Sequence, residues 1–492
     1  MPLAIAILIV IFSALPCLGQ EREVTLSLDD AIARARVRSV DAAVALDELR
    51  TAYWEWRTFR ADQLPELSFR ATAPSYAKQY SSYMDENGNY SFVRTNTLQA
   101  SGELSVSQNV ALTGGKVALS SSLDFLRQLD GTPYNRFMSI PVALSIEQPL
   151  FGVNTMKWDR RIEPVRYSEA KAAFLSATED VARLTVDYYF TLLMSRENVE
   201  IARQNLDNAT QLLAVAREKR EMGKISQNDL LQMELNELDA RAALTEYLSQ
   251  LQSDMFQLRS FLDYGEDIVI VPVVPSEVPN AEIVYGDALE RATANNKFVK
   301  SMLRRQLEAD YEVARARGDM REIKLFARLG YSGTDSEIGN SYANLRSNQV
   351  ASIGFSIPLV DWGKRRGKVK VAESKRRVAE SRIRRETMNF NQELFVLVER
   401  LGNQQRQLDL AEQSTRIASR RYQTNVETYL IGMISPLELN DSRVSKDNAR
   451  REYIDRLYRF WTYWYQLRSL TLYDYSTRSD INADIDKLVK IE

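Results

Sequence analysis

Two carboxylate-bearing stretches, "GKISQNDLLQ" from Gly223 and "GMISPLELND" from Gly432, interrupt long helix-forming runs with the same Gly-x-Ile-Ser. Six residues after each glycine stands an acid, Asp229 and Glu438; a third, Asp441, follows nine after the second glycine. Carboxylates can move protons, hold cations or cap helices. The rest of the chain supplies few partners for catalysis. It has no His, which removes the commonest general base and metal ligand. Its one cysteine is Cys17. No nucleophile–base pair, metal-ligand spacing or phosphate loop is recognisable. The composition therefore points away from an enzyme, and no cofactor is expected. A formal net charge of −2 over 492 residues lacks the basic excess of a nucleic-acid binder, so none is expected as a partner.

Helix chemistry explains most of both stretches. Gly223 and Gly432 fit the position just past a helix end, where a left-handed backbone is needed. Ser226 and Ser435 fit the N-cap of the next helix, which places Asp229 and Glu438 at N3 to complete a capping box. Ile225 with Leu230, and Ile434 with Leu439, form the matching hydrophobic staples. Pro436 falls at N1, where its missing N–H costs nothing. Each copy thus encodes a tight reversal that sends one rod back alongside another. Asp441 lies beyond the first turn, and its counterpart in the first copy is Gln232; capping gives it no role.

The elements to be positioned are of two kinds. Helix-forming composition covers 27–62, 158–222, 226–262, 286–320, 364–431 and 435–473. The longest exceed sixty residues, roughly 90 Å of rod, and need coiled-coil partners along their length. Other segments alternate with period two: 67–73, 98–110, 116–125, 138–147, 323–331 and 350–357. In 138–147 the alternation places Met138, Ile140, Val142, Leu144 and Ile146 on one face. Strands of about ten residues, apolar on one side and small or polar on the other, mark transmembrane barrels, though a half-buried soluble sheet shows the same pattern. Residues 1–19 carry no charged side chain, and their apolar run is too short to span a bilayer; they read as a signal peptide. No later stretch is apolar enough for a transmembrane helix, so any spanning part must be a β-barrel.

The chain also repeats. Gly223 to Gly432 and Pro149 to Pro358 are both separated by 209 residues, and "DDAIARA" at Asp29 faces "GDALERA" at Gly286 at an offset of 257. Pro149 and Pro358 each end a strand before a Trp and a basic helix start. The expected organisation is a signal peptide (1–19), a first repeat (20–267, strands about 67–147, helix pair 158–262) and a Pro-rich linker (268–282). A second repeat (283–475, strands about 323–357, helix pair 364–473) and a C-terminal tail (476–492) follow.

On "LSLDDAIARA", "QPLF", "IPLVDWGK", the two long-helix repeats and the two reversals, nearly the whole mature chain resembles the TolC family of outer-membrane efflux proteins. The resemblance implies an α+β membrane protein: a homotrimer whose transmembrane β-barrel continues into a long antiparallel α-helical, coiled-coil tube in the periplasm. It implies a passive exit duct in the bacterial outer membrane, in contact with its lipid. The duct would serve a tripartite efflux or type I secretion system with a periplasmic adaptor and an inner-membrane pump. It would be gated at the periplasmic tip by Tyr429, Glu438, Asp441 and Asp229. On that basis Glu438 and Asp441 of three chains would ring the closed tip and favour cations. Two departures stand out. Ile434 occupies the place of the family's gating arginine, and six strand candidates stand where four per protomer are implied. The competing reading is a periplasmic coiled-coil scaffold that never enters a membrane.

Overall fold

The computed structural model describes residues 22–84, 90–320, 323–355 and 360–490. The proposed signal peptide with Cys17, and the junction proline Pro358, lie outside them. The described residues fold into two compact units, one drawn from 22–49, 171–297 and 388–490, the other from 50–170 and 298–387.

The second unit holds a six-stranded antiparallel sheet. Its strands are β2 (Glu66–Met84), β3 (Tyr90–Val110), β4 (Gly115–Gln128), β5 (Tyr134–Leu150), β7 (Ile323–Asp335) and β8 (Arg346–Phe355), adjacent in that order. All six expected strands are present, most of them longer than the alternation suggested. The extra hairpin is β3–β4, and it sits inside the sheet, bonded to β2 on one side and β5 on the other. Polar anchors fasten its turn. Asn154 Nδ2 donates to the carbonyls of Ala111 (2.9 Å) and Leu112 (3.2 Å), and Gln148 Nε2 donates to Thr113 O (2.9 Å).

Two prolines reset the faces of this sheet. Register shifts fall between Thr72 and Ser75, around Pro74, and between Ser139 and Val142, around Pro141. Proline cannot donate to a ladder, so within a sheet it is confined to edges and bulges. The second bulge corrects the expectation for 138–147. Below it Leu144 opposes Leu119, whereas above it Phe137 opposes Phe125. Met138 and Ile140 therefore fall on the face opposite Val142, Leu144 and Ile146. The mean alternation survives: Leu67, Phe69, Leu104, Leu119, Leu144 and Leu329 share one exposed face, and Ser105, Glu103, Ser120, Ser145 and Arg328 the other.

The first unit is mainly helical. β1 (Arg22–Leu26) pairs in parallel with β6 (Ile268–Pro272), so the start of the Pro-rich linker stretch is a strand. The helices are α1 (Leu28–Arg38), α2 (Val40–Ala61), α3 (Thr155–Glu221), α4 (Gln227–Phe261), α5 (Tyr285–Asn295), α6 (Lys297–Gly318), α8 (Lys364–Leu430) and α9 (Pro436–Thr471), with a short α7 (Ile338–Ala343) between β7 and β8. Helices α2, α3, α6 and α8 contribute to both units. Two breaks interrupt runs expected as single helices. Ser39 closes α1, and its Oγ accepts from Ala42 N at 3.1 Å, capping α2; Asn296 separates α5 from α6 and donates to Leu470 O at 2.6 Å. Helices α3 and α8 both have 67 residues and start 209 apart, and α1/α5 and α2/α6 start 257 apart. The C-terminal residues form a small hairpin, β9 (Tyr473–Asp474) with β10 (Ser479–Asp480), and the short helix α10 (Ile485–Lys490).

The aromatic run 458–475 is core of this unit: Phe460, Trp461, Trp464 and Tyr465 are all buried, with Phe460 stacked on Trp464 at 6.1 Å. Beside it Glu179, 1% exposed, sits between Arg36 and Arg468, and Arg468 reaches Asp474 at 2.6 Å. A buried carboxylate is tolerable only with such partners. Of the two tryptophans at the strand-to-helix junctions, Trp158 packs on Tyr311 (5.9 Å), while Trp362 is 95% exposed.

Candidate functional site at the two helix reversals

Both reversals are built as their residue types dictate. Gly223 (φ 68°) and Gly432 (φ 81°) take the left-handed conformation. Around each, a pair of backbone bonds closes a Schellman turn. Gly223 N donates to Arg220 O (2.9 Å) and Lys224 N to Lys219 O (2.8 Å); Gly432 N donates to Tyr429 O (2.9 Å) and Met433 N to Thr428 O (3.1 Å). The capping boxes then start α4 and α9. Ser226 Oγ accepts from Asp229 N (3.1 Å), and Asp229 Oδ2 accepts from Ser226 N (3.0 Å). Ser435 Oγ accepts from Glu438 N (3.3 Å), and Glu438 Oε2 accepts from Ser435 N (2.8 Å). Pro436 opens α9 at the helix start. These bonds from Ser226 and Ser435 hold the Asp229 and Glu438 carboxyls below their ordinary values.

Asp441, left without a role by capping, has a partner. Arg421 Nη2 of α8 donates to its Oδ2 at 2.8 Å. The positions agree with hairpin geometry: Arg421 lies eleven residues before Gly432 and Asp441 nine after it, so the reversal brings them level. The three acids at the reversals thus all have partners in their own chain.

The two reversals meet in an apolar cluster. Leu213 and Ala216 of α3, Met233 of α4, Tyr422 and Tyr429 of α8 and Leu439 of α9 are its buried members. The staple residues Ile225, Leu230 and Ile434 pack against it. Ile434 therefore fills the position of the implied gating arginine with apolar contact. Tyr429 is 4% exposed; burial, then the charge of Asp229, raises its phenol. Lys219 Nζ of α3 stands 4.8 Å from the Tyr429 ring centroid and donates to Tyr429 O at 3.3 Å. This cation–π contact ties the two hairpins together. Above the cluster, buried Asn205 donates to buried Asp447 at 2.8 Å, joining α3 to α9. Lys219, Arg421, Tyr422 and the Asn205–Asp447 pair were not evident from the sequence; Lys219 and Asn205 act across helices more than 200 residues apart, Arg421 across the turn to the next helix. Equal distance from the turn was the available signal for Arg421.

Among the described residues no group of His, Cys, Asp or Glu is placed to hold a metal ion, and no helix is long and apolar enough to cross a membrane.

An antiparallel sheet with one apolar and one polar face, and paired long helices that reverse at a common apolar cluster, define the class of fold. Comparison gives the family. Residues 31–262 and 288–471 match the model of the outer membrane efflux protein family, and the chain belongs to it. It is accordingly an outer-membrane efflux channel and not an enzyme. The outer membrane channel CmeC of Campylobacter jejuni is similar in fold, with a TM-score of 0.66 at 15% identity over 94% of this chain and 88% of that one. The outer-membrane channel OprN gives 0.62 at 15% identity over 91% and 90%. The open state of the Neisseria gonorrhoeae MtrE channel gives 0.58 at 13% over 93% and 91%. No curated protein matches the chain.

Proposed function

We propose that the chain is the passive exit duct of a tripartite efflux or type I secretion system. It works as a homotrimer whose β-strands line the outer membrane and whose helices extend into the periplasm, where an adaptor and an inner-membrane pump dock. Two internal repeats build it, as the equal 67-residue lengths and 209-residue offset of α3 and α8 support. The gate lies at the helix reversals. The observation that carries this reading is the cluster around Tyr429, which joins the hairpins of both repeats at their turns.

In this gate Tyr429, with Ile434, Met233 and Leu439, holds α3–α4 against α8–α9, and opening separates the two hairpins. The latch is mainly apolar, with Lys219 over the Tyr429 ring and Lys446 over the Tyr422 ring, each at 4.8 Å, as cationic contacts. Asp229 and Glu438 stiffen the turns, and Asp441, pinned by Arg421, sets charge at the end of the rods. Glu438 and Asp441 of three chains then make the tip cation-selective. The family assignment favours the channel over a scaffold confined to the periplasm.

Engineered cysteines near Tyr429 and Asp229, cross-linked between chains, test the gate. Export is expected to stop on oxidation and return on reduction. Export that continues through the cross-linked tip would sink the reading.

A further inference from the structure

The edge strands β2 and β8 have no partner on their outer sides among the described residues. Within a bilayer such edges cannot stay open, because no water is there to satisfy their N–H and C=O groups. The sheet has an even number of strands, so β8 of one copy and β2 of another run antiparallel when they meet. Both edges carry exposed apolar side chains on the same face: Leu67 (67%) and Phe69 (72%) on β2, and Ile353 (64%) on β8.

The register within the sheet fixes the tilt. Stepping from Leu67 across the ladder leads through Val106, Leu119, Leu144 and Leu329 to Gln349. Leu67 is one residue from the start of β2, and Gln349 is six from Phe355, the last described residue of β8. Those two positions lie toward the same side of the sheet, since five antiparallel steps make β2 and β8 run in opposite directions. The five-residue difference is about 17 Å of rise over five strand spacings of about 24 Å, a tilt of about 35°. Closed membrane barrels have tilts in this range. Extending the same stagger of one residue per strand by one more step sets Ile353 opposite Phe69 of the next copy, both on the apolar face.

We infer that β2 and β8 are mating edges for further copies of this chain, and that three copies close an 18-stranded barrel. This rests on the homotrimer of the proposed function; the strand count per chain does not. The β3–β4 hairpin is then barrel wall and not an outer rim. With the four strands per chain implied by the family resemblance, twelve strands at the same tilt would give about 22 Å between opposite backbones; eighteen give about 34 Å. The cross-section rises about 2.3-fold, and the outer-membrane section becomes as wide as that of a porin.

The test is a double variant, Phe69→Cys with Ile353→Cys, in a Cys17→Ser background, oxidised in outer-membrane fractions. Expected is a covalent ladder that ends at three chains, is absent from either single variant and collapses on reduction. A ladder ending at two chains would mean a 12-stranded closure and overturn the inference. So would the lack of any product while non-covalent trimers persist in the membrane; both outcomes leave the channel reading intact. Recovery of the untreated protein as a soluble periplasmic monomer would remove the channel reading itself, and the barrel with it.

Discussion

Replacing Tyr429 with Ala cuts into the cluster that joins the two hairpins. Large aromatic-to-alanine changes in packed cores cost about 3–5 kcal/mol, through lost burial and the cavity left behind. Tyr429 is 4% exposed, yet it lies one helical turn from an exposed reversal that can partly collapse into the space. The low end, about 3 kcal/mol, therefore applies. If the cluster is whole only in the closed tip, that energy is lost from the closed state alone. At about 1.4 kcal/mol per tenfold, the closed-to-open ratio falls by roughly 100-fold. The assay is open probability of the purified channel in planar bilayers, with entry of a bulky external antibiotic as its cellular counterpart. Tyr429→Phe keeps the ring and should behave as the wild type. An alanine variant that forms normal trimers but changes open probability less than about threefold would refute the apolar latch.

Further expectations concern charges and caps. The Arg421–Asp441 pair is half exposed or more on both sides, so a double-mutant cycle should give a coupling below about 1 kcal/mol that vanishes in high salt. The carboxyls of Asp229 and Glu438 are lowered from 3.8 and 4.5 in the folded turns, so their contribution is complete above those values. It is lost as pH falls through the depressed folded values. Hydrogen exchange at the reversals should thus stay flat from neutral pH down to the upper of those two values, after intrinsic-rate correction, and accelerate below the lower. Arg468→Met strands the buried Glu179 with Arg36 alone and should destabilise the helical unit by about 3 kcal/mol. Adding Glu179→Leu should recover much of the loss in a thermal unfolding comparison.

What could be read from the sequence was what neighbouring residues decide. The Schellman glycines, the capping boxes and Pro436 at the start of α9 are local devices, and the structure forms each of them where the residues stand. Element order and the existence of six strands followed from periodicity. The failures have equally concrete causes. Ser39 and Asn296 split helices by taking an extended backbone where composition showed no breaker; the Ser39 hydroxyl caps the next helix, and the Asn296 amide bonds Leu470 O instead. Pro141 turned Met138 and Ile140 to the other face, an effect invisible to an alternation count that steps over the proline. The contact of Lys219 with Tyr429 depends on which hairpins lie side by side, which sequence neighbours do not record, whereas the Arg421 partner of Asp441 could be found only by counting equal distances from the turn. Ile434 was legible as a departure from the family pattern. In the structure it packs against the Tyr429 cluster.

The most direct measurement is the conductance of purified, refolded protein added to a planar lipid bilayer. A gated exit duct should insert in discrete, lasting steps, sit mostly closed, and show a cation preference that Glu438→Ala with Asp441→Ala reduces. Stable trimers that insert yet never conduct, or a cation preference and divalent block unchanged in the double variant, would contradict a duct closed at its carboxylate-bearing tip.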